Sequence, residues 1–397
     1  MTSVRRLAAL AVVMAGCAGS SDGGDFVDAL PHFTIDEEVR IGSVDDPDVG
    51  FSSITAVTVD QAGRVFVLER QEMAVRIYDD DGMLQTKLGS RGEGPGEFQF
   101  PSAMGLIADT LWVSDVMLRR VSLFTPDDGF IYSFPMTTVE IETVPGLAAR
   151  LVSQDPRPDG LLNTTWMIPV LREMPDDSFW LPHARMDRDG TVIDTIQLQR
   201  YGFAQRERVD VGGRTLSVPS GPSSHPLFID AGDDAYVIER PVATSADAAE
   251  FTITRIAGIA DTLFHDTLGY RPRPFDATAI DSVIAAAVAS YRQRNDPDAD
   301  AIAAAFRAGF SPPAFHPPIG SGRVGEDGTL WLERHDAGGP VIEWLLVAAD
   351  GEPRGILELD RGTVVHWSDA SVLWAVARDE FDVPWLVKYR LRPASPD

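Results

Sequence analysis

The chain has 397 residues, of which 44% are hydrophobic and 24% charged, and its formal net charge at pH 7 is −26. Binding to nucleic acid requires clustered Lys and Arg that neutralise phosphates, so this charge argues against a nucleic-acid partner. A chain of this length usually suggests two or three domains, but 34 Gly and 28 Pro fit a single fold made of many turns.

The chain begins with the features of an export signal. Arg5 and Arg6 precede an apolar run, residues 7–15, that is too short to cross a membrane as a helix. The tetrapeptide that ends in Cys17 resembles the lipobox of bacterial lipoproteins, with Met14 where Leu is usual. The resemblance implies that Cys17 is lipidated and becomes the mature N-terminus. The alternative is a plain secretory signal with an incidental Cys.

Export and anchoring would divide the chain into three parts. We predict a signal peptide with lipobox over 1–17, a Gly- and Ser-rich flexible tether over 18–30, and a folded domain over 31–397. Residue 18 is Ala and not the Asp that commonly retains lipoproteins at the inner membrane, which favours an outer-membrane location facing the periplasm or the cell surface. Cys17 is the only Cys, so the folded part has no disulfide.

Short β-rich runs with a central aromatic residue recur along the folded part, between Asp-Gly turns at 81–82, 189–190 and 350–351. Internal similarity at about 40 to 50 residues is typical of propellers and repeat arrays. The central aromatic residues are Phe66, Trp112, Tyr236, Trp331 and Trp374.

The clearest unit, residues 89–129, resembles the NHL-type repeat of six-bladed β-propellers. It has Gly-x-Gly-Pro-Gly-Glu-Phe at 92–98, then an aromatic-Val-x-Asp strand end at Trp112 to Asp115, an Arg-Val pair at 120–121 and a closing Phe124. The resemblance implies an all-β fold. It implies little about function, because propellers serve in binding, scaffolding and catalysis alike.

Counting units gives a six-bladed β-propeller of four-stranded antiparallel blades, and we expect it to be monomeric. Pairing of 33–41 with the last blade around 385–391 would close the ring. A helical period over 276–308 predicts an α-helical insertion between blades 4 and 5, with helices at about 277–294 and 297–308, the second capped by Asp296. The units are 51–92, 100–140, 146–200, 223–270, 316–360 and 363–393.

Charged residues end the second strand of several units, and two interpretations are open. They converge around the axis and contact a ligand, or each acid holds the loops of its own blade, as the resemblance to NHL repeats implies. These candidate ligand-binding residues are Glu69, Arg70, Asp115, Glu239, Arg240, Glu333 and Arg334.

Three histidines, His225, His316 and His366, lie at or near innermost strands. They would bind a metal or act as acid and base if they met at the axis, but His225 and His316 precede Pro, which favours ordinary loop entry. Acidic runs at 45–46 and 79–81 offer Ca²⁺ as an alternative to surface turns. We predict no metal and no cofactor.

The sequence contains no zinc-protease, phosphate-loop or nucleophile-elbow motif. We therefore predict a lipid-anchored binding or scaffolding module rather than an enzyme, and expect it to recognise a protein, a small molecule or a glycan through its loop face. The alternative is a hydrolase or lyase with an axial site, because propellers that this chain resembles include lactonases, arylesterases and lyases.

Overall fold

The structure is a computed structural model that describes residues 26–46, 49–144, 147–167, 179–201, 207–232, 234–257, 261–334 and 339–394. The signal peptide, Cys17 and most of the predicted tether lie outside these residues.

Six antiparallel blades follow one another along the chain, and this arrangement confirms the predicted six-bladed propeller. Blade 3 carries an additional strand, β10 (Thr138–Val144), that the sequence did not predict. Blade 1 contains β2 (Ile54–Val59), β3 (Val65–Glu69), β4 (Ala74–Tyr78) and β5 (Leu84–Leu88). Blade 2 contains β6 (Pro101–Ile107), β7 (Thr110–Asp115), β8 (Arg120–Thr125) and β9 (Gly129–Pro135). Blade 3 contains β10 (Thr138–Val144), β11 (Leu147–Pro156), β12 (Leu162–Met167), β13 (Phe179–Met186) and β14 (Val192–Tyr201).

The strands of blades 4 to 6 also follow one another in chain order within each blade. Blade 4 contains β17 (Leu227–Ala231), β18 (Asp234–Glu239), β19 (Ala249–Ala257) and β20 (Asp261–Tyr270). Blade 5 contains β21 (Ile319–Val324), β22 (Leu330–Arg334), β23 (Val341–Val347) and β24 (Pro353–Asp360). Blade 6 contains β25 (Val364–Ser368), β26 (Val372–Arg378) and β27 (Pro384–Pro393), completed by the N-terminal strand β1 (His32–Ile41).

An apolar core lies between each pair of successive blades, including blades 6 and 1, so the ring is closed. The core between blades 3 and 4 is small, because only three of its described residues are buried. Burial of these side chains is the main stabilising contribution, since the folded part has no disulfide. In ring order from the contact of blades 1 and 2, buried members are Phe98, Leu162, Ile196, Tyr236, Trp331 and Trp374.

The N-terminal strand closes the ring as predicted. β1 pairs antiparallel with β27, from Phe33 opposite Pro393 to Ile41 opposite Leu386. It also pairs parallel with β24 of blade 5 at His32 and Phe33. β1 therefore covers the outer edges of two blades that would otherwise be exposed.

Residues before 31, the predicted start of the folded domain, already pack against the ring. Phe26 bridges Gly269 at the edge of blade 4, and Val27 is 1% exposed within the core between blades 4 and 5. The Asp28 carboxylate lies 2.6 Å from the guanidinium of Arg334 in blade 5. Residues 26–41, which we call the N-terminal strap, thus connect blades 4, 5 and 6.

In a four-stranded antiparallel blade, the loop between the second and third strands lies on the same face as the linker to the next blade. We call this the linker face. It carries the predicted helical insertion, with α1 (Ala277–Gln293) and α2 (Ala299–Gly309) close to their expected bounds. No helix in the described ranges is long and apolar enough to cross a membrane.

The helical insertion packs on a hairpin that the sequence did not predict. Strands β15 (Arg208–Val211) and β16 (Arg214–Ser217) leave the linker between blades 3 and 4 and pack on the helices, and we call the hairpin and helices together the cap. Arg214 pairs with Asp296 at 2.8 Å. The prediction that Asp296 caps α2 was wrong, because the N-cap is Asp298. The cap core contains Val209, Val211, Leu216, Ile284, Val288, Ile302 and Phe306.

We expect a chain in which a Gly- and Ser-rich bridge replaces residues 276–308 to keep its six blades folded, because the cap has a core of its own. The hairpin would then expose Val209, Val211 and Leu216 and promote aggregation. A matched variant that also lacks 208–217 should stay soluble. Tryptophan fluorescence during thermal unfolding reports the blades alone, since no Trp lies between 202 and 318. Loss of a cooperative transition in the matched variant would contradict an independent cap.

Candidate functional site

Two of the predicted strand-end acids hold the backbone of their own blades. Glu69 is 1% exposed, and its carboxylate accepts hydrogen bonds from the backbone N–H groups of Ser52, Ser53 and Gln71 at 3.0 to 3.1 Å. Asp115 is fully buried and accepts four such bonds, from Gln99, Phe100, Met117 and Leu118 at 2.7 to 3.0 Å. Each carboxylate thereby fixes the linker that enters its blade and the loop after its second strand.

The strand-end arginines of blades 4 and 5 are also used inside the fold. Arg240 donates to the backbone oxygens of His225, Ile319 and Gly320 at 2.6 to 2.8 Å, and so joins blades 4 and 5. Burial lowers the pKa of Arg240. Arg334 donates to Asp28 of the N-terminal strap and to Glu343 of its own blade.

The remaining strand-end candidates differ in environment. Glu239 is exposed, whereas the Glu333 carboxylate accepts a hydrogen bond from the Ser321 hydroxyl at 2.5 Å. Arg70 lies with its guanidinium 5.1 Å from the ring centroid of Phe100. The seven strand-end candidates therefore do not form one cluster of charged side chains.

The three histidines also lie in different environments. His225 is exposed on the linker face, while His316 is 3% exposed and packs on Phe275 with ring centroids 4.5 Å apart. A cavity of about 10 Å³ beside His316 has room for about one water molecule. His366 is partly buried, and burial, followed by the charge of Arg323, lowers its pKa to about 4.

A polar junction lies between blades 3 and 4, and the sequence did not predict it. Asp155, near the end of β11, is partly buried, and burial followed by the charge of Asp230 raises its pKa to about 6. Its Oδ1 forms no hydrogen bond with any residue that the structure describes. Asp230 on β17 accepts from the Asn163 amide at 2.9 Å, and His183 stacks on Phe228 two residues earlier. No repeated motif marks these residues.

Asp155 and His366 should change the free energy of unfolding with pH in opposite directions. The pKa of Asp155 is about 6 in the folded state and 3.8 ordinarily. Its contribution to the free energy of unfolding therefore falls as pH rises from 3.8 to 6. The pKa of His366 is about 4 in the folded state and 6.5 ordinarily. Its contribution to the free energy of unfolding therefore falls as pH falls from 6.5 to 4. The two effects partly cancel in the native chain.

We therefore expect Asp155→Asn to gain stability over the native chain as pH rises from 4 to 8, by about 2–3 kcal/mol. His366→Gln should gain a similar amount as pH falls over the same range. Urea unfolding across this range measures both differences. The exposed Asp109→Asn is the control, and curves parallel to the native one for all three variants would exclude this assignment.

Outside the cap, the linker face exposes an apolar and cationic surface, which we call the linker-face patch: Arg70, Arg91, Phe100, Val116 and Met117. The three apolar side chains are 40%, 45% and 65% exposed in chain order. The Val116 N–H donates to the Phe100 carbonyl at 3.3 Å, and Arg91 donates to the carbonyl of Gln71, next to Arg70, at 3.2 Å. These contacts join blades 1 and 2 into one surface.

Of the two acidic runs that suggested Ca²⁺, the run at 79–81 binds other groups. Asp79 accepts from the Met83 backbone and the Gln85 amide within its hairpin turn, and Asp80 binds Lys388 at 2.5 Å. Across the described ranges, no group of three or more His, Cys, Asp or Glu is placed to hold a metal ion.

Comparison with known proteins supports the fold. The sequence model of the DUF5128 family, described as a 6-bladed beta-propeller, matches residues 46–125, which include blade 1 and most of blade 2. Among curated proteins there is no match.

Several solved structures resemble the chain distantly. A Bacteroides fragilis protein described as exported is 11% identical over 91% of this chain and 96% of its own, with a TM-score of 0.43. A member of the duf4221 family from Bacteroides vulgatus is 9% identical over 91% and 99%, with a TM-score of 0.44. Virginiamycin B lyase from Staphylococcus aureus is 14% identical over 92% and 90%, with a TM-score of 0.32. Similarity at this level carries no information on ligand or reaction.

Proposed function

We propose that this protein is an exported, lipid-anchored propeller that binds a ligand or a partner protein through its linker face. The main support is that several charged strand-end groups are used within the fold, whereas the linker face leaves other groups exposed. Glu69, Asp115 and Arg240 are used in hydrogen bonds within the fold, whereas the linker face presents the cap and the linker-face patch. Such a surface suits recognition more than chemistry.

Export and anchoring rest on the first residues of the chain. The basic pair, the short apolar run and Cys17 fit a bacterial lipoprotein signal, and the acyl chains of such a lipoprotein would anchor it stably. We expect Cys17→Ser to move the protein from the membrane fraction to the soluble fraction. Ser20→Ala serves as the control, and retention of Cys17→Ser in the membrane fraction would contradict lipidation.

Two methionines allow a direct test of the binding face. Met117 on the linker face and Met83 on the opposite face are both 65% exposed. A photoreactive amino acid at residue 117 should yield crosslinked partners in the producing cell, and one at residue 83 should not. Adducts at both positions, or none at 117, would contradict binding through the linker face.

A hydrolase or lyase is the second candidate, and the polar junction between blades 3 and 4 favours it. Burial raises the pKa of both neighbouring carboxyls, that of Asp155 to about 6 and also that of Asp230, and carboxyls with raised pKa values support general acid and base chemistry. Turnover of a panel of lactones and esters that is abolished in both Asp155→Asn and Asp230→Asn would support this candidate. Absence of turnover in the native chain would exclude it for those substrates.

A further inference from the structure

We propose that the linker-face patch binds a peptide segment of a partner protein that combines Asp and Glu with apolar side chains. The inference rests on the proposed function, because it specifies the chemistry of the partner at the same face. Its basis is the juxtaposition of exposed apolar side chains with guanidinium groups that form no ion pair with any described residue, in a strongly acidic chain.

The charge at the patch is opposite to that of the chain as a whole. The chain has 60 acidic and 34 basic residues, and most of its arginines bind carboxylates or backbone oxygens. Arg70, Arg91 and the neighbouring Arg119 form no ion pair with any described residue; their contacts are a ring, a carbonyl and a hydroxyl. Guanidinium groups bind carboxylates through paired hydrogen bonds, so these three offer sites for acidic side chains.

The apolar part of the patch adjoins these charges, because the Arg70 guanidinium lies 5.1 Å from the ring centroid of Phe100 and Arg119 follows Met117 by two residues. Phe100 and Val116 are held side by side by the hydrogen bond between their backbones. Asp115 fixes the backbone of both Phe100 and Met117 through its buried carboxylate. The patch is therefore preorganised, which lowers the entropic cost of binding. Apolar side chains of a bound segment would contact Phe100 and Met117 while its acidic side chains reach the arginines.

An anionic membrane also combines negative charge with apolar groups, but the net charge of the chain argues against membrane binding. A bilayer would contact a far wider area than the patch, and the chain carries a net charge of −26. Repulsion from the net negative charge of the chain would then oppose binding. A peptide would contact only the patch. Charges further away than about 8 Å would not repel it, because they are screened at physiological ionic strength.

The test uses the purified full chain as bait for a phage-displayed library of random peptides. We expect selected peptides to be enriched in Asp and Glu interleaved with apolar residues. Their affinity should fall about tenfold or more in the double variant Arg70→Glu/Arg91→Glu and weaken as salt increases. The exposed Arg354→Glu on the rim of blade 5 is the matched control and should leave affinity unchanged.

Selection of basic or uncharged peptides, or equal binding by the double variant, would overturn the inference. So would patch-dependent sedimentation with phosphatidylglycerol vesicles in place of peptide binding. Photocrosslinking at residue 117 separates this failure from that of the proposed function. Crosslinks that persist in Arg70→Glu/Arg91→Glu would refute the acidic segment but keep the binding face, whereas their absence in the native chain would refute the face itself.

Discussion

Asp115→Ala should lower the free energy of unfolding by about 3–5 kcal/mol, because it removes the buried carboxylate that accepts hydrogen bonds from four backbone N–H groups. Oδ2 accepts from Gln99 and Phe100, and Oδ1 from Met117 and Leu118. These bonds fix both the linker into blade 2 and the loop after its second strand. Urea unfolding followed by tryptophan fluorescence measures the loss.

Asp115→Asn tests the same geometry more finely. The amide keeps one acceptor oxygen and places an NH₂ group against two N–H donors, so about half of the loss should remain. Asp109→Ala, at an exposed position of the same blade, should change stability by less than about 0.5 kcal/mol. If Asp115→Ala costs no more than Asp109→Ala, the carboxylate does not hold the two loops.

Removal of the N-terminal strap should produce the second large effect. A chain that begins at residue 42 lacks the outer strand of blade 6, the contact of Asp28 with Arg334 and the buried Val27. We expect it to unfold at a much lower temperature than a chain that begins at residue 26. Equal unfolding temperatures would show that the ring does not depend on the strap.

Addition of a synthetic peptide of residues 26–41 should restore the truncated chain, because the open edge of β27 is a template for strand addition. At a peptide concentration 100 times its dissociation constant, the stabilisation should be about 2.7 kcal/mol. A scrambled peptide of the same composition is the control. Restoration by both peptides would indicate nonspecific stabilisation.

The fold could be predicted because its signals are local and repeated. Aromatic residues such as Phe66 and Trp331 mark the second strand of five of the six blades, and both are fully buried. The Asp-Gly turns have positive φ at Gly82, Gly190 and Gly351, which glycine adopts without strain. Each unit therefore shows its own strands and turns in the sequence.

The cap and the polar junction could not be predicted, because they depend on contacts between distant segments. The hairpin around Arg214 has an ordinary alternating pattern, and only the three-dimensional structure brings it to Asp296, 82 residues later. Asp155 acquires its raised pKa from burial and from Asp230 in the next blade. Single acids of this kind carry no pattern by which a sequence reveals them.

Ring closure by the strap has a consequence for how the chain is made. β1 leaves the ribosome long before β27, and Thr34 contacts Arg392 across 358 positions. Contacts this distant in sequence form slowly, so the nascent chain carries an orphan strand until β27 has been made. Throughout that interval the unpaired edge of β1 is open to mispairing with other chains.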